Sequence, residues 1–190
     1  KSSAIKTEGE KPGQPISKHL FQLHKKYILC TVKSGFLLFD QNIVHQRIMY
    51  ERYLYQFEHK KSITQQLLFP QSIELSVADT SLLKDILPQL NELGLDIREF
   101  GNNSFIVHGL PVELSEQNEM EIITQLLEQY KQNTDMKLDL YDNISRSLAT
   151  QSAIKPGKNL TMNEMQLLID ELFACEVPYA GPGGRKTFIN

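Results

Sequence analysis

The chain has 190 residues, which is long enough to bury a real hydrophobic core as one domain or as two small subdomains. Its 20 Lys and Arg residues against 23 Asp and Glu give a net charge of −3. This balance argues against non-specific nucleic-acid binding as the main activity, because phosphate contacts need clustered positive charge. The two cysteines stand far apart, which fits a reducing cytosol, and no apolar run is long enough to predict a membrane span.

The beginning of the chain is predicted to be a linker followed by strands. Residues 1–14 are polar and contain Gly and Pro, which is typical of the end of a disordered linker. We expect order from about Pro15, and because the chain begins with Lys1 instead of Met we expect a fragment of a longer protein. Apolar runs then predict three strands, at 20–24, 27–32 and 36–39, with a turn at 33–35. Cys30 lies in the second strand and is predicted to be buried, as is Cys175 further on.

A helix is predicted at 41–58, directly after Asp40, which is well placed to cap it. Apolar residues recur at helical spacing along it, and three tyrosines add aromatic area. So much apolar surface on one helix suits a subunit interface, although an ordinary core face explains it nearly as well.

The remainder of the chain alternates less regularly between strands and helices. An extended run at 63–75 is interrupted at Pro70, and a helix at 80–93 ends at Gly94. A hairpin at 96–109 precedes helices at 116–132 and 138–151, and Thr161 begins a last helix with the capping-box spacing to Glu164. Because no sustained strand–helix–strand alternation appears, the predicted class is α+β.

Five segments, in this order, carry a resemblance to a known family. They are QLHKKYILC at 22–30, FLLFDQNIVHQRIMYE at 36–51, QQLLFP at 65–70, ATQSAIK at 149–155 and ELFACEVPYAGPGGRKT at 171–187. The second resembles the DQHA-x-x-E-x-x-x-x-E motif of the MutL family of DNA mismatch-repair proteins, in its C-terminal domain, and the last resembles that family's C-P-H-G-R-P-T motif. An unrelated α+β interaction domain is the alternative that assumes no family.

The resemblance implies two subdomains. A hairpin-and-helix dimerisation subdomain would comprise residues 15–64 plus 159–190, and an α/β regulatory subdomain would be inserted at 65–158. It also implies a homodimer that binds the DNA sliding clamp and other mismatch-repair proteins, with weak or indirect DNA contact and no membrane. The expected location is cytoplasmic and associated with the nucleoid.

In nuclease-active members of the family, a His, a Glu, two Cys and a second His bind a metal. The corresponding positions here are Asn42, Gln46, Thr150, Gly181 and Gly183, and none of these side chains is a carboxylate, imidazole or thiolate. We therefore predict a degenerate metal site, with no catalytic residue, no metal ligand and no cofactor in this segment.

The alternative is an endonuclease with a rearranged Zn or Mn site that uses Asp40, His45 and Glu51. Helix geometry places His45 about 100° around the axis from Gln46, so it is predicted to be a packing or surface histidine. A helix cap and a solvated helix face account for Asp40 and Glu51 without a metal.

The QQLLFP segment lies where the family carries a Q-x-[LI]-x-P-like element that docks on the sliding clamp. Gln65 would then be the polar anchor, Leu67 and Leu68 would fill the groove, and Pro70 would fix the exit. The alternative is an ordinary strand whose alternate apolar side chains face the core.

Overall fold

The computed structural model describes residues 19–32, 35–115, 117–134 and 138–190. The predicted linker at 1–14, the predicted start of order at Pro15 and part of the turn at 33–35 lie outside these residues. The elements, in chain order, are β1 (Leu20–Leu23), β2 (Tyr27–Val32), β3 (Gly35–Asp40), α1 (Gln41–His59), β4 (Thr64–Glu74), α2 (Val77–Glu92), β5 (Asp96–Glu99), β6 (Ser104–Pro111), a 3-10 turn (Val112–Leu114), α3 (Glu119–Thr134), α4 (Leu140–Ser152), α5 (Met162–Ala174) and β7 (Phe188–Ile189). The predicted α+β class is confirmed.

The first sheet has the antiparallel order β1-β2-β3-β7. Alternation along its strands divides the side chains between two faces. One face carries Leu20, Ile28 and Phe39, which pack against α1 and α5 in the smaller of two hydrophobic cores. Cys30 is buried in the same core, as predicted, whereas Cys175 is only partly buried at the C-cap of α5.

The second sheet has the order β4-β6-β5, so β4 lies at an edge. Its ladder with β6 is interrupted, because Gln66 pairs with Gly109 and the next paired residue, Gln71, meets Val107. Residues 67–70 thus lie opposite the single residue His108 and form a four-residue bulge. Helices α2, α3 and α4 pack with this sheet into the larger core.

Helix α1 begins as predicted, because the Asp40 carboxylate accepts hydrogen bonds from the backbone N–H groups of Asn42 and Ile43 at 3.1 and 3.2 Å. The predicted capping box at the start of α5 is also confirmed. Val44 and Ile48 of α1 belong to the smaller core, while the fully buried Met49 and Tyr53 belong to the larger one. The apolar surface of α1 is therefore a core face shared by both cores, and the subdomain boundaries near residues 64 and 158 stay a prediction.

Among the described residues, no helix has both the length and the hydropathy that crossing a bilayer requires.

Candidate functional site

Asn42 and Gln46, the degenerate metal-site positions on α1, form hydrogen bonds that connect α1 to the segment after α4. Asn42 donates from Nδ2 to the carbonyl oxygen of Ile154 at 2.8 Å, and Ile154 donates its backbone N–H to His45 Nδ1 at 2.9 Å. Gln46 completes the arrangement by donating from Nε2 to Asn42 Oδ1 at 2.9 Å. His45 is thus a packing histidine, as predicted, and burial, followed by the nearby positive charge of Arg52, lowers its pKa to about 4.

Three of the five positions meet in one pocket. Gln46, Thr150 and Gly183 line a cavity of 220 Å³ together with Arg146 and Pro182. The Thr150 hydroxyl is already committed, since it donates to the carbonyl oxygen of Arg146 at 3.0 Å. The structure therefore brings together segments that the resemblance assigned to one site, although more than 30 residues separate 150 from 183.

The chemistry of this pocket does not fit a Zn or Mn centre. Its donors are neutral amides and a hydroxyl, whereas such metals take carboxylates, imidazoles or thiolates. Arg146 places a guanidinium in the pocket wall, where it donates to Asp142 at 2.9 Å and to the carbonyl oxygen of Pro182. A guanidinium has no acceptor atom, so Arg146 offers no ligand to a metal. In the part of the chain that the structure describes, no three His, Cys, Asp or Glu side chains are grouped as metal ligands.

Gly181 and Gly183 differ sharply in the space around them. A Cβ atom on Gly181 would lie 2.7 Å from Ile43 Cγ2, closer than real Cβ atoms approach other heavy atoms. No heavy atom lies within 4 Å of a Cβ built on Gly183. Packing therefore restricts position 181, where the resemblance predicts a Cys in nuclease-active members, to glycine, and a Cys here would require Ile43 to move.

The three residues of the rearranged-site alternative face different partners. Asp40 caps α1, His45 accepts from Ile154, and Glu51 accepts backbone N–H groups from Glu176 and Val177 at 2.8 and 3.2 Å. Asp40 and Glu51 are roughly 16 Å apart along the helix axis, which is too far to share one ion. The interpretation of Glu51 as a solvated helix residue was wrong, because its carboxylate is partly buried and fastens the terminal loop.

Gln41, next to Asp40, forms hydrogen bonds that connect neighbouring segments of the chain. Its side chain is fully buried, accepts from Gln22 Nε2 at 2.8 Å and donates to the carbonyl oxygen of Lys25 at 2.8 Å. Gln22 in turn donates to the carbonyl oxygen of Lys158 at 2.8 Å. These amides tie the first hairpin to the segment between α4 and α5.

The predicted clamp-binding segment spans the last two paired residues before the bulge of β4, Gln65 and Gln66, and the bulge itself at 67–70. Leu68 is 92% exposed and Phe69 is 77% exposed, and Gln65 and Pro70 are exposed as well. Leu67 is different, because it is partly buried and packs against the larger core. In this conformation the apolar side chains that a partner can reach are Leu68 and Phe69.

A second apolar surface covers the face of the first sheet that points away from the helices. Phe21, Leu29, Leu38 and Ile189 are cross-strand neighbours in register, and together they form a row across all four strands. Phe21 and Ile189 are about half exposed, as is Phe36 beside the row. Antiparallel sheets with a solvated face usually carry polar side chains on it, so this apolar row, called here the outer row, is a candidate interaction surface.

The sequence itself matches the model of the MutL C terminal dimerisation domain over residues 20–160. The chain belongs to this family. Proteins named DNA mismatch repair protein MutL are similar to it at 37% identity in Chlorobium chlorochromatii, covering 92% of this chain and 27% of the relative, and at 36% in Chlorobaculum tepidum, covering 96% and 30%. The relative from Prosthecochloris aestuarii is 34% identical, covering 100% and 31%. The chain thus spans roughly a third or less of the curated relatives that it matches.

Two features of the candidate sites in this MutL C-terminal domain were not predicted from the sequence. Arg146 lies four residues before Thr150, outside the segment that carries the resemblance, so no sequence pattern predicted that it would line the pocket. The outer row could have been noticed earlier, because β2 and β3 are apolar at consecutive positions and not at alternate ones. That pattern predicts strands covered on both faces.

Proposed function

We propose that this chain is the homodimerisation and partner-docking module of a DNA mismatch-repair MutL protein, and that it has no endonuclease activity of its own. The observation that carries the proposal is the outer row, an apolar stripe across a four-stranded sheet in a member of a dimerisation-domain family.

A second copy of the chain fits the outer row better than a different partner does. A two-fold dimer buries the same patch on both subunits, so an apolar row meets another apolar row without any need for charge complementarity. Leu29 and Leu38 are directly paired at the centre of the sheet and would lie at the centre of such an interface. Phe21 and Ile189 would extend it to both edges.

Light scattering at tens of micromolar tests this arrangement. The wild-type chain should have the mass of a dimer, and Leu38→Glu should have the mass of a monomer while keeping its far-UV circular dichroism. Val77→Glu is the matched control, because Val77 is an exposed apolar residue at the start of α2 and not on the sheet. A monomeric wild-type chain, or a dimeric Leu38→Glu variant, would contradict the proposal.

The proposed lack of nuclease activity is supported by the side chains of the pocket, which are neutral amides and a hydroxyl apart from Arg146, itself paired with Asp142. A nicking assay on supercoiled DNA with Mn²⁺ tests it, and no nicking is expected. Nicking that disappears in Glu51→Ala but persists in Glu58→Ala would establish the rearranged-site alternative, because Glu58 is an exposed carboxylate on the same helix.

Sliding-clamp binding is proposed for the β4 bulge. The exposed side chains support it, and the spacing of a Q-x-[LI]-x-P element is met by Gln66, Leu68 and Pro70. Gln65 is adjacent and also exposed, so it remains a candidate for the polar anchor. Leu67 would have to leave the core of its own domain in order to fill a groove on a partner.

A clamp pull-down distinguishes these contributions. Leu68→Ser should abolish capture, because it removes the most exposed apolar side chain of the bulge. Gln65→Ala and Gln66→Ala, made separately, show which amide is the anchor. Val77→Glu, the same control as above, should be captured normally. Capture that is undiminished by Leu68→Ser and by Gln65→Ala combined with Leu67→Ala would remove the clamp from the proposal.

A further inference from the structure

A further pocket lies beside the degenerate metal site, because its Lys155 donates from Nζ to the carbonyl oxygen of Thr150, and it does not include the outer row or the β4 bulge. It has a volume of 460 Å³, which falls in the range of about 300–1,000 Å³ typical of small-molecule sites. His45, Gln117, Lys155 and Lys158 provide polar groups in its wall, and Val112 provides an exposed apolar side chain. The pocket therefore lies where the segment after α4 returns to α1.

The two lysines of this pocket stand on a fixed turn. Lys158 donates its backbone N–H to the carbonyl oxygen of Lys155 at 3.3 Å, and Gly157 N–H donates to the carbonyl oxygen of Lys25 at 2.9 Å. Gln22 binds the carbonyl oxygen of Lys158 from the other side. These bonds fix the backbone from which both lysine side chains extend, so the two residues stay on the same turn beside the pocket.

The positive charge of this pair is not neutralised within the described residues. Neither Lys155 nor Lys158 forms an ion pair with a carboxylate there. Glu164 feels the charge of Lys158, but its carboxylate is bound to Thr161 in the capping box. Glu113 also lies in the pocket wall, where its carboxylate is paired with Arg52 at 3.1 Å.

Two backbone acceptors beside the pocket already have donors from its wall. The carbonyl oxygen of Thr150 accepts from Lys155 Nζ, and that of Gln151 accepts from Gln117 Nε2. An ammonium group has three N–H bonds and an amide nitrogen has two, so both donors keep at least one N–H for a ligand. His45 adds another, because its Nδ1 accepts from Ile154 and its proton must therefore lie on Nε2.

We propose that this pocket binds a phosphate-bearing nucleotide unit, with Lys155 and Lys158 on the phosphate and His45 Nε2–H as a further donor. A group with three terminal oxygens and up to two negative charges matches donors that approach from several sides better than a carboxylate does. The sugar and base would lie in the remaining volume, against Val112, Ala153 and Ile154. Desolvation lowers the pKa of Lys155, so an anion beside it would favour its charged form.

A free mononucleotide and the phosphorylated end of a DNA strand share this chemistry, so the test includes both. Binding of deoxyadenosine monophosphate, inorganic phosphate and deoxyadenosine to the wild-type chain is measured by calorimetry, with the ring signals of His45 followed by NMR. Deoxyadenosine monophosphate should bind and perturb His45, phosphate should compete with it, and deoxyadenosine should not bind.

A single-stranded oligonucleotide with a 5′-phosphate is compared with the same strand ending in a 5′-hydroxyl. Tighter binding of the phosphorylated strand assigns the site to DNA ends, and equal binding of the two strands assigns it to the free nucleotide.

Variants decide whether the pocket is responsible. Lys158→Met should weaken binding by tenfold or more, because it removes a charge-assisted hydrogen bond. Lys155→Met should have a similar effect, and since Lys155 also binds the end of α4, its folding is checked by circular dichroism. Lys61→Met is the matched control, because Lys61 is an exposed lysine beyond the far end of α1, roughly 20 Å from His45. No binding to the wild-type chain at millimolar nucleotide, or binding that Lys158→Met leaves unchanged, would overturn the proposal.

Discussion

Asn42 donates to the carbonyl oxygen of Ile154 at 2.8 Å across 112 residues of sequence. The bond joins the first turn of α1 to the segment that leaves α4. Both residues lie in segments on which the family resemblance rests, and Asn42, the position that the resemblance predicts to correspond to a metal-binding His, holds two distant parts of the chain together.

Asn42→Ala should lower the free energy of unfolding by about 1–2 kcal/mol, because it leaves the carbonyl of Ile154 and the amide of Gln46 without a partner. Urea unfolding followed by circular dichroism measures this loss. Asn102→Ala is the control, since Asn102 is exposed in the turn between β5 and β6, and its stability should stay within about 0.5 kcal/mol of wild type. Equal stability of the two variants would contradict the role given to Asn42.

Because of His45, the free energy of unfolding of the domain should decrease as the pH is lowered. Its pKa is lowered from 6.5 to about 4 in the folded chain, so the folded state binds this proton less readily than the unfolded state does. The stabilisation is complete above pH 6.5 and declines as the pH falls toward 4, by up to about 3 kcal/mol in total.

Unfolding in urea at several pH values between 7.5 and 4 checks this expectation. His45→Gln keeps a side-chain acceptor for the N–H of Ile154 and should flatten the pH dependence. His24→Asn, at an exposed turn residue with φ of 50°, should keep the wild-type slope. A wild-type slope in His45→Gln would assign the pH dependence to other groups.

Substitution by alanine should lower the stability of the domain at Gly181 but not at Gly183. Gly181→Ala should cost about 1–3 kcal/mol of stability, because the new Cβ meets Ile43 Cγ2 at 2.7 Å. Gly183→Ala should change stability by less than about 0.5 kcal/mol, because its surroundings are open. Combining Gly181→Ala with Ile43→Leu, which lacks the methyl branch at Cβ, should cost less than the sum of the two single changes in a thermal-unfolding cycle.

Glu51→Ala should release the loop that follows α5. Its carboxylate accepts the backbone N–H groups of Glu176 and Val177, and bonds to a charged group contribute about 1.5–3 kcal/mol. Hydrogen exchange should therefore speed up at these two amides, while the amides of the first hairpin keep their protection. Glu58→Ala should leave both sets unchanged, and unchanged exchange in Glu51→Ala would show that the loop is held by other contacts.

Local sequence signals predicted most of the secondary structure, because they act within a few residues. Asp40 as a helix cap and Thr161 with Glu164 as a capping box were recognisable from spacing alone, and both are present. The strand β7 was not predicted, since two residues give no periodicity and Phe188 and Ile189 are ordered by pairing with β3. The bulge in β4 was visible only as an interruption at Pro70, whereas its width depends on where β6 pairs again.

The sequence by itself determined the family, the α+β class and the absence of ligand-type side chains at Asn42, Gln46, Thr150, Gly181 and Gly183, because these depend on residue identity and order. Tertiary structure decided what took the place of those ligands. It set Arg146 into the pocket wall, turned Asn42 and His45 onto Ile154, and packed Ile43 against Gly181. It also left the outer row of the first sheet uncovered while burying α1. The physical reason is that contacts between residues more than 100 positions apart depend on how whole elements pack, and no local pattern encodes that packing.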